Sequence, residues 1–472
     1  MNALWTSSAA AEATGGRNTK AWSAIGVSID SRQVEHGDLF VAISGTRVDG
    51  HDFIADAFLR GAAAAMVSRV PAGLDKNLPL LVVPDTLVAL TALGIAARKR
   101  SKAKIIAVTG SVGKTGTKEA LRVALSAQGL TSASVGNLNN QIGVPLSLAR
   151  MPEETAFGVF ELGMNRPGEI GLLSKLVEPD VAIITTIEPA HTEFFDSVAD
   201  IADAKAEIFL GMSGGVAVLH RDNAYFPWLA DAAHRAGVSR IMGFGAHPEA
   251  TARLIDCELH ASNSRVTAVV AGRTLTYRLN APGRHWVMNS LAVLAAVDAV
   301  GADVSAAAAE LAKVMPIKGR GQRHRVALAG GSFEVVDESY NASPASMRAA
   351  IAVLAGARPG PNGRRIAVLG DMLELGSDSA RLHASLAQDL INAGIDLVFA
   401  AAPNMKHLYD ALPEAMQGGY AVNAKELSAL VIREVRPGDV LTIKGSYGTG
   451  MGVVIDALLA LNAVPPRAAN HY

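Results

Sequence analysis

"AVTGSVGKTGTKEAL", residues 107–121, follows directly on the β-branched run KIIAV (104–108) and leads into an alanine- and leucine-rich stretch with helical spacing. A strand, a glycine-containing turn and a helix in that order are the setting a phosphate-binding loop requires. The usual pattern has a glycine five positions before the glycine of Gly-Lys-Thr, but here that position is Val108 and the nearest glycine is Gly110. The loop is short, yet the chemistry is intact. Gly110 and Gly113 let backbone N–H groups turn toward an anion, and the helix that begins near Thr115 adds the positive end of its dipole. Lys114 can reach terminal phosphates and Thr115 is placed to hold Mg²⁺. The expected nucleotide contacts are therefore Thr109, Gly110, Ser111, Val112, Gly113, Lys114, Thr115 and Gly116. The competing reading, an accidental loop-to-helix turn, does not explain why both strand and helix stand in place.

Further runs of the same kind, LFVAI (39–43), VAIITT (181–186), RIAVLG (365–370) and DVLTIKG (439–445), each precede a loop. Helical stretches follow most of the runs, at 51–61, 115–128, 380–394 and 450–461. Strand alternating with helix predicts an α/β protein with mostly parallel sheets, whose ligands gather at the carboxyl ends of strands. A chain of 472 residues is too long for one ordinary domain. Two polar seams, ARKRSKAK (97–104) and MPIKGRGQRH (315–324), predict three domains: 1–102, 103–317 and 318–472.

Composition narrows the partners. The 43 basic and 44 acidic residues leave a net charge of -1, with no footprint for nucleic acid or an anionic membrane. No apolar stretch approaches the roughly 18 residues of a membrane span. A single cysteine, Cys257, excludes an internal disulfide, and the opening residues lack a secretory pattern. A cytoplasmic protein acting on small molecules is expected.

A triphosphate needs metal to neutralise its charge. Glu161 ends the run FGVFE and His191 follows VAIITTIEPA, both at strand ends where such ligands project. Lys205 is stranger. It falls within the apolar helical stripe of Val198, Ile201, Ile208 and Phe209. Two readings stand: a snorkelling side chain whose ammonium reaches water, or a functional lysine of depressed pKa.

With TGSVGKT, GNLNNQIGVP (136–145), ELGMNRPGEI (161–170), AH (190–191) and AKAEIF (204–209) in this order, the chain resembles the Mur ligases, ATP-dependent amide-forming enzymes of peptidoglycan synthesis. Near the amino terminus DSR (30–32) and GDLFVAISGTRVDGHDF extend the match, as do DESYNASP (337–344), LGDMLELG (369–376) and KGS (444–446) near the other end. In that family the loop is T-G-x-x-G-K-T, so Val108 is no defect. The resemblance implies an amino-terminal UDP-sugar domain, a central P-loop-type ATPase domain and a carboxyl-terminal dinucleotide-binding-like, Rossmann-like domain. The carboxyl-terminal motifs resemble the branch that joins D-alanyl-D-alanine to UDP-N-acetylmuramoyl-tripeptide through an acyl phosphate, releasing ADP. The branch that adds diaminopimelate or lysine carries Asp-Asn-Pro-Arg, which is absent here. A non-ligase guanine-nucleotide switch calls for Asn-Lys-x-Asp, also absent.

The resemblance also implies roles by position. Lys114 and Thr115 hold phosphates and one Mg²⁺, Glu161 a Mg²⁺ and His191 a second metal. Lys205 matches a lysine often carbamylated in the family, and Arg320 an arginine that meets the γ-phosphate. Asn289 and Asp337 match adenosine contacts, and Ser31 and Arg32 the UDP site. Lys114, Lys205, His191 and Arg320 are the expected catalytic set. Two positions depart from the family pattern: Trp286 replaces an asparagine and either stacks on adenine or packs on its helix, and Ser343 replaces another. A three-domain enzyme that must close favours a monomer.

Overall fold

The computed structural model describes residues 3–45, 48–189 and 192–463. Its strands assemble mainly into three sheets, drawn from 17–82, 104–279 and 322–444.

The first sheet has five strands in the spatial order Arg17–Asn18, Leu80–Val82, Ala64–Val67, Asp38–Val41 and Gly26–Ser28. Only the edge strand Arg17–Asn18 runs antiparallel. Leu39, Val41, Ala64 and Met66 pack on one face while Phe40, Ala65 and Val67 pack on the other. Burial on both faces explains why these strands are continuously apolar. The helix Thr86–Arg100 leaves this unit, its first turn capped by Asp85, which accepts from Leu87 and Val88 N–H. It lies against the helix Gly143–Ala149 of the next unit so closely that a Cβ on Gly94 would stand 3.0 Å from the Pro145 carbonyl.

The second sheet has nine strands. In space they run Arg273–Leu279, Ser264–Val270, Ala252–Leu259, Arg240–Gly245, Val216–His220, Val181–Ile184, Lys104–Thr109, Phe157–Glu161 and Thr131–Ala133. From Ala252–Leu259 to Thr131–Ala133 neighbouring strands are parallel, whereas 252–279 forms an antiparallel ribbon. The helices Lys114–Ser126 and Arg284–Ala299 cover one face. Glu169–Val177, Val198–Ala206 and Phe226–Arg235 cover the other. The third sheet orders its six strands Gln322–Leu328, Gly331–Glu338, Val440–Lys444, Arg365–Gly370, Leu397–Ala401 and Gln417–Ala421. All are parallel but the first, and helices cover both faces.

The expected strands and helices are all present. The run at 51–61 is the exception in form, with a 3-10 turn Gly50–Phe53 leading into a short helix Ile54–Leu59. The antiparallel ribbon departs from a purely alternating α/β reading. Its strand Ser264–Val270 buries every second residue, the mark of a sheet covered on one face only.

Candidate active site

The strand Lys104–Thr109 runs buried into the second sheet, and its chain turns out of the sheet at Gly110. Gly110 has φ +142° and Gly113 φ +88°, values that favour glycine. At Gly110 space excludes a side chain as well, since a Cβ would lie 1.9 Å from Thr185 Oγ1 and 3.0 Å from its backbone nitrogen; one on Gly113 would lie 2.9 Å from Asn289 Oδ1. Thr185 Oγ1 donates to the Val112 carbonyl at 2.5 Å, and Ser111 N–H donates to the Thr186 carbonyl at 2.9 Å, so the neighbouring strand end clamps the loop. Helix Lys114–Ser126 starts at Gly113 with no side-chain cap, which leaves its first amides available to an anion.

Each expected metal ligand among the described residues has a definite place. Thr115 Oγ1 donates to Glu161 Oε2 at 2.8 Å, and Asn139 Nδ2 donates to Glu161 Oε1 at 2.9 Å. Glu161 is buried, and its own N–H donates to Ser134 Oγ at 3.2 Å. His191 lies outside the described residues. Lys205 is only 1% exposed, so its ammonium is enclosed with its stem, against the snorkelling reading. Burial, and then the charge of Lys114, hold its pKa well below the ordinary lysine value.

A cleft of about 440 Å³ opens at these strand ends. Ser111, Val112, Gly113, Lys114, Gly116 and Glu161 line it from the second unit, together with Trp286 and Asn289. Arg320, Tyr340, Ser346 and Lys444 close it from the carboxyl-terminal side. Lys114 Nζ donates to the Gly110 carbonyl at 2.7 Å across the turn. Burial pulls its pKa down, with Glu161 acting against the shift and Arg320 adding to it. Arg320 sits 4.4 Å over the Tyr340 ring. Lys444 donates to the Asn341 carbonyl at 2.7 Å, and its pKa is lowered by burial, opposed by Glu338 and assisted by Arg320. Lys114 and Lys444 are thus held where the charge of Arg320 disfavours their own, and Lys205 lies close enough to Lys114 to feel its charge. Such a constellation is relieved by a bound polyanion.

Other expected residues are arranged differently. Asp337 does not line the cleft: its Oδ2 accepts from Gly319 N–H at 2.9 Å, and its Oδ1 from Ser339 N–H and hydroxyl at 3.0 and 2.6 Å. It therefore shapes the turn that carries Arg320. Ser31 and Arg32 lie in a 3-10 turn of the first unit, away from this cleft, and Arg32 closes on Asp30 with two hydrogen bonds of 2.9 and 2.7 Å. Ser343 caps the helix Pro344–Ala355 in a capping box with Ser346. Trp286 faces the cleft and would meet a Cβ on Gly116 at 3.0 Å.

Sequence reasoning named neither Asn139 nor Lys118. Lys118 is fully buried, and its ammonium donates to the Ser134 and Gly136 carbonyls at 2.6 and 3.2 Å while pairing with Glu119 at 3.1 Å. A signal for it existed: like Lys205, it falls on the apolar face of its helix, here with Leu121, Ala124 and Leu125.

Residues 24–84 match the model of the Mur ligase family catalytic domain, 108–297 the Mur ligase middle domain and 319–447 the Mur ligase glutamate ligase domain. The chain belongs to the Mur ligase family, with its three-domain α/β fold. It is 34% identical to the UDP-N-acetylmuramoyl-tripeptide–D-alanyl-D-alanine ligase of Rickettsia prowazekii, covering 96% of this chain and 99% of that one. It is 36% identical to the Escherichia coli ligase of the same name, covering 92% and 93%. Among solved structures, MurF from Acinetobacter baumannii superposes with a TM-score of 0.82 at 31% identity, covering 97% of this chain and 99% of that chain. MurF ligase from Thermotoga maritima in complex with ADP gives 0.75 at 27% identity, covering 93% and 98%. Among the described residues no helix is long and apolar enough to cross a membrane.

Proposed function

We propose that this chain is an ATP-dependent ligase that joins D-alanyl-D-alanine to UDP-N-acetylmuramoyl-tripeptide, releasing ADP and phosphate, in the cytoplasmic synthesis of the peptidoglycan precursor that cell division consumes. The observation that carries the reading is the convergence of Lys114, Arg320 and Lys444, from two domains, on one glycine-framed loop. Relatives bearing this activity in their names match nearly end to end, which supports the choice of substrates.

The chemical problem is that two anions must meet. The tripeptide carboxylate attacks the γ-phosphorus of ATP, a new C–O–P linkage forms, and the bond between the β and γ phosphates breaks to leave ADP. The amine of the dipeptide then attacks the acyl carbon, and phosphate departs. Lys114 and Arg320 hold the charge of the transferring group, while the amides of 112–115 orient it for in-line attack. Closure of the carboxyl-terminal domain keeps water from the acyl phosphate. Ser31 and Arg32 are assigned to the UDP end, Asn289 to the nucleotide and Asp337 to the adenosine side through the turn it braces.

The Thr115 hydroxyl and Glu161 carboxylate are hard oxygen donors in hydrogen-bond contact beside the phosphate loop, a donor set suited to Mg²⁺ that completes its shell with phosphates and water. Lys205 and His191 are assigned to a second Mg²⁺. Bound Mg²⁺ supplies charge neutralisation to both anions. Carbamylation of Lys205 joins its amine nitrogen to CO₂ with loss of a proton, and needs the neutral amine that burial and Lys114 favour. The enzyme is assigned as a monomer that closes around its substrates.

The test is coupled ADP release with a panel of UDP-muramoyl peptides and acceptors. Rapid release only when the tripeptide and D-alanyl-D-alanine are both present is expected. Release indifferent to both would mark a nucleotide switch and refute the reading.

A further inference from the structure

The ligase reading, on which this inference rests, leaves one requirement unassigned: the acceptor arrives as an ammonium and must lose protons as the amide forms. Four carboxylates line the cleft, those of Glu119, Glu161, Glu188 and Glu338. Three are engaged. Glu119 pairs with Lys118 and Arg122 at 3.1 and 2.8 Å, Glu161 takes Thr115 and Asn139 at 2.8 and 2.9 Å, and Glu338 faces Lys444 at 3.5 Å. Among the described residues, no hydrogen bond or ion pair is made to the carboxylate of Glu188.

Its backbone, by contrast, is fixed to the phosphate loop. Ser111 Oγ donates to the Glu188 carbonyl at 2.9 Å and accepts from the Glu188 N–H at 3.0 Å. The carboxylate therefore stands at a set offset from the place where the acyl phosphate forms. Across the cleft runs the helix Pro344–Ala355, which contributes Ala345, Ser346 and Ala349 to the lining. Its Arg348 is turned to Asp389 at 2.9 Å and acts on Glu188 only through its charge. An anionic group that is half-buried, held in register and unpaired calls for a cationic ligand.

We propose that Glu188 binds the ammonium of the incoming D-alanyl-D-alanine beside the phosphate loop and takes one proton from it, freeing the nitrogen lone pair that attacks the acyl carbon; as the new C–N bond forms and the C–O bond to phosphate breaks, the second proton leaves the nitrogen with the departing phosphate. Enclosure supports the role, because burial raises the Glu188 pKa, against the Arg348 charge, and makes it a better base than a solvated carboxylate.

The experiment compares two acceptors with the full-length enzyme, Mg²⁺, ATP and UDP-N-acetylmuramoyl-tripeptide. D-alanyl-D-alanine is cationic at its amino end. Hydroxylamine is largely uncharged at neutral pH and traps an acyl phosphate as hydroxamate. Glu188→Gln keeps the size of the side chain and removes its charge. Its KM for the dipeptide should rise at least about tenfold and its kcat fall about a hundredfold, while hydroxamate formation stays within about twofold of wild type. Glu188→Asp should recover part of the dipeptide reaction. Equal losses with both acceptors would overturn the proposal, since Glu188 would then serve the loop rather than the acceptor, and so would unchanged dipeptide kinetics. Failure of the wild-type enzyme to form hydroxamate would instead overturn the ligase reading beneath it.

Discussion

Replacing Lys118 by methionine tests whether the metal-side geometry is held from behind. The methionine fills nearly the same space, so the change is electrical. It strands the Ser134 and Gly136 carbonyls, which now accept from the ammonium at 2.6 and 3.2 Å, and removes one of the two partners of Glu119. Ser134 is buried whereas Gly136 is exposed and its carbonyl can turn to water, so one stranded buried acceptor costs about 1–3 kcal/mol, and because Glu119 keeps Arg122 a total near 2 kcal/mol is expected. For a unit of this size that lowers Tm by about 4–8 °C. The loss should also reach the ligands. Ser134 accepts from Glu161 N–H at 3.2 Å, so loosening the Ser134–Gly136 segment frees the carboxylate that Thr115 contacts. Affinity for a non-hydrolysable ATP analogue with Mg²⁺ should weaken about tenfold, equivalent to 1.4 kcal/mol. Differential scanning calorimetry and titration calorimetry read the two effects, with Lys102→Met at an exposed position as control. A Tm within about 2 °C of wild type, or an unchanged affinity, would refute the reasoning.

Three further outcomes are expected. Gly113→Ala forces a φ of +88° on an L residue and drives a methyl to 2.9 Å from Asn289; nucleotide affinity should fall with about 1–2 kcal/mol of stability, and wild-type binding would refute the assigned loop geometry. Lys205→Ala should nearly abolish turnover, with partial recovery on adding a small carboxylic acid; full activity without rescue would end the carbamate assignment. Burial, and then Lys444, lower the His285 pKa from 6.5 to about 4. The fold holds this ring neutral while the unfolded chain takes up the proton first, so its contribution is present above the unfolded pKa and is lost as pH falls toward the folded one. His285→Gln should therefore flatten the decline in urea midpoint across that window, and an unaltered slope would count against the assignment.

The phosphate loop was legible because its chemistry is local. Strand, glycines, lysine and helix start are contiguous, and each demand on the backbone is met by residues next to it. Lys205 was legible for a related reason: a charge on an apolar helical stripe contradicts its own surroundings. Lys118 shows the same contradiction four residues after Lys114 and was passed over because it sits in the shadow of a stronger motif. Asp337 illustrates the opposite case. Its place in the chain suggested a ligand contact, but both its oxygens are occupied in bracing the turn at Gly319 and Ser339.

From the sequence alone came the alternation of strand and helix, the three-part organisation and the identity of the loop, because periodicity and turn chemistry act over a few neighbours. Only the tertiary structure decided which charges share a space. Lys114, Arg320 and Lys444 are spread over some 330 positions of chain, from 114 to 444, and their mutual repulsion exists only once the second and third units meet around one cleft. Likewise nothing in the order of residues distinguishes Glu188 from Glu119 or Glu338; what sets it apart is which partners the fold delivers to the other carboxylates of the cleft.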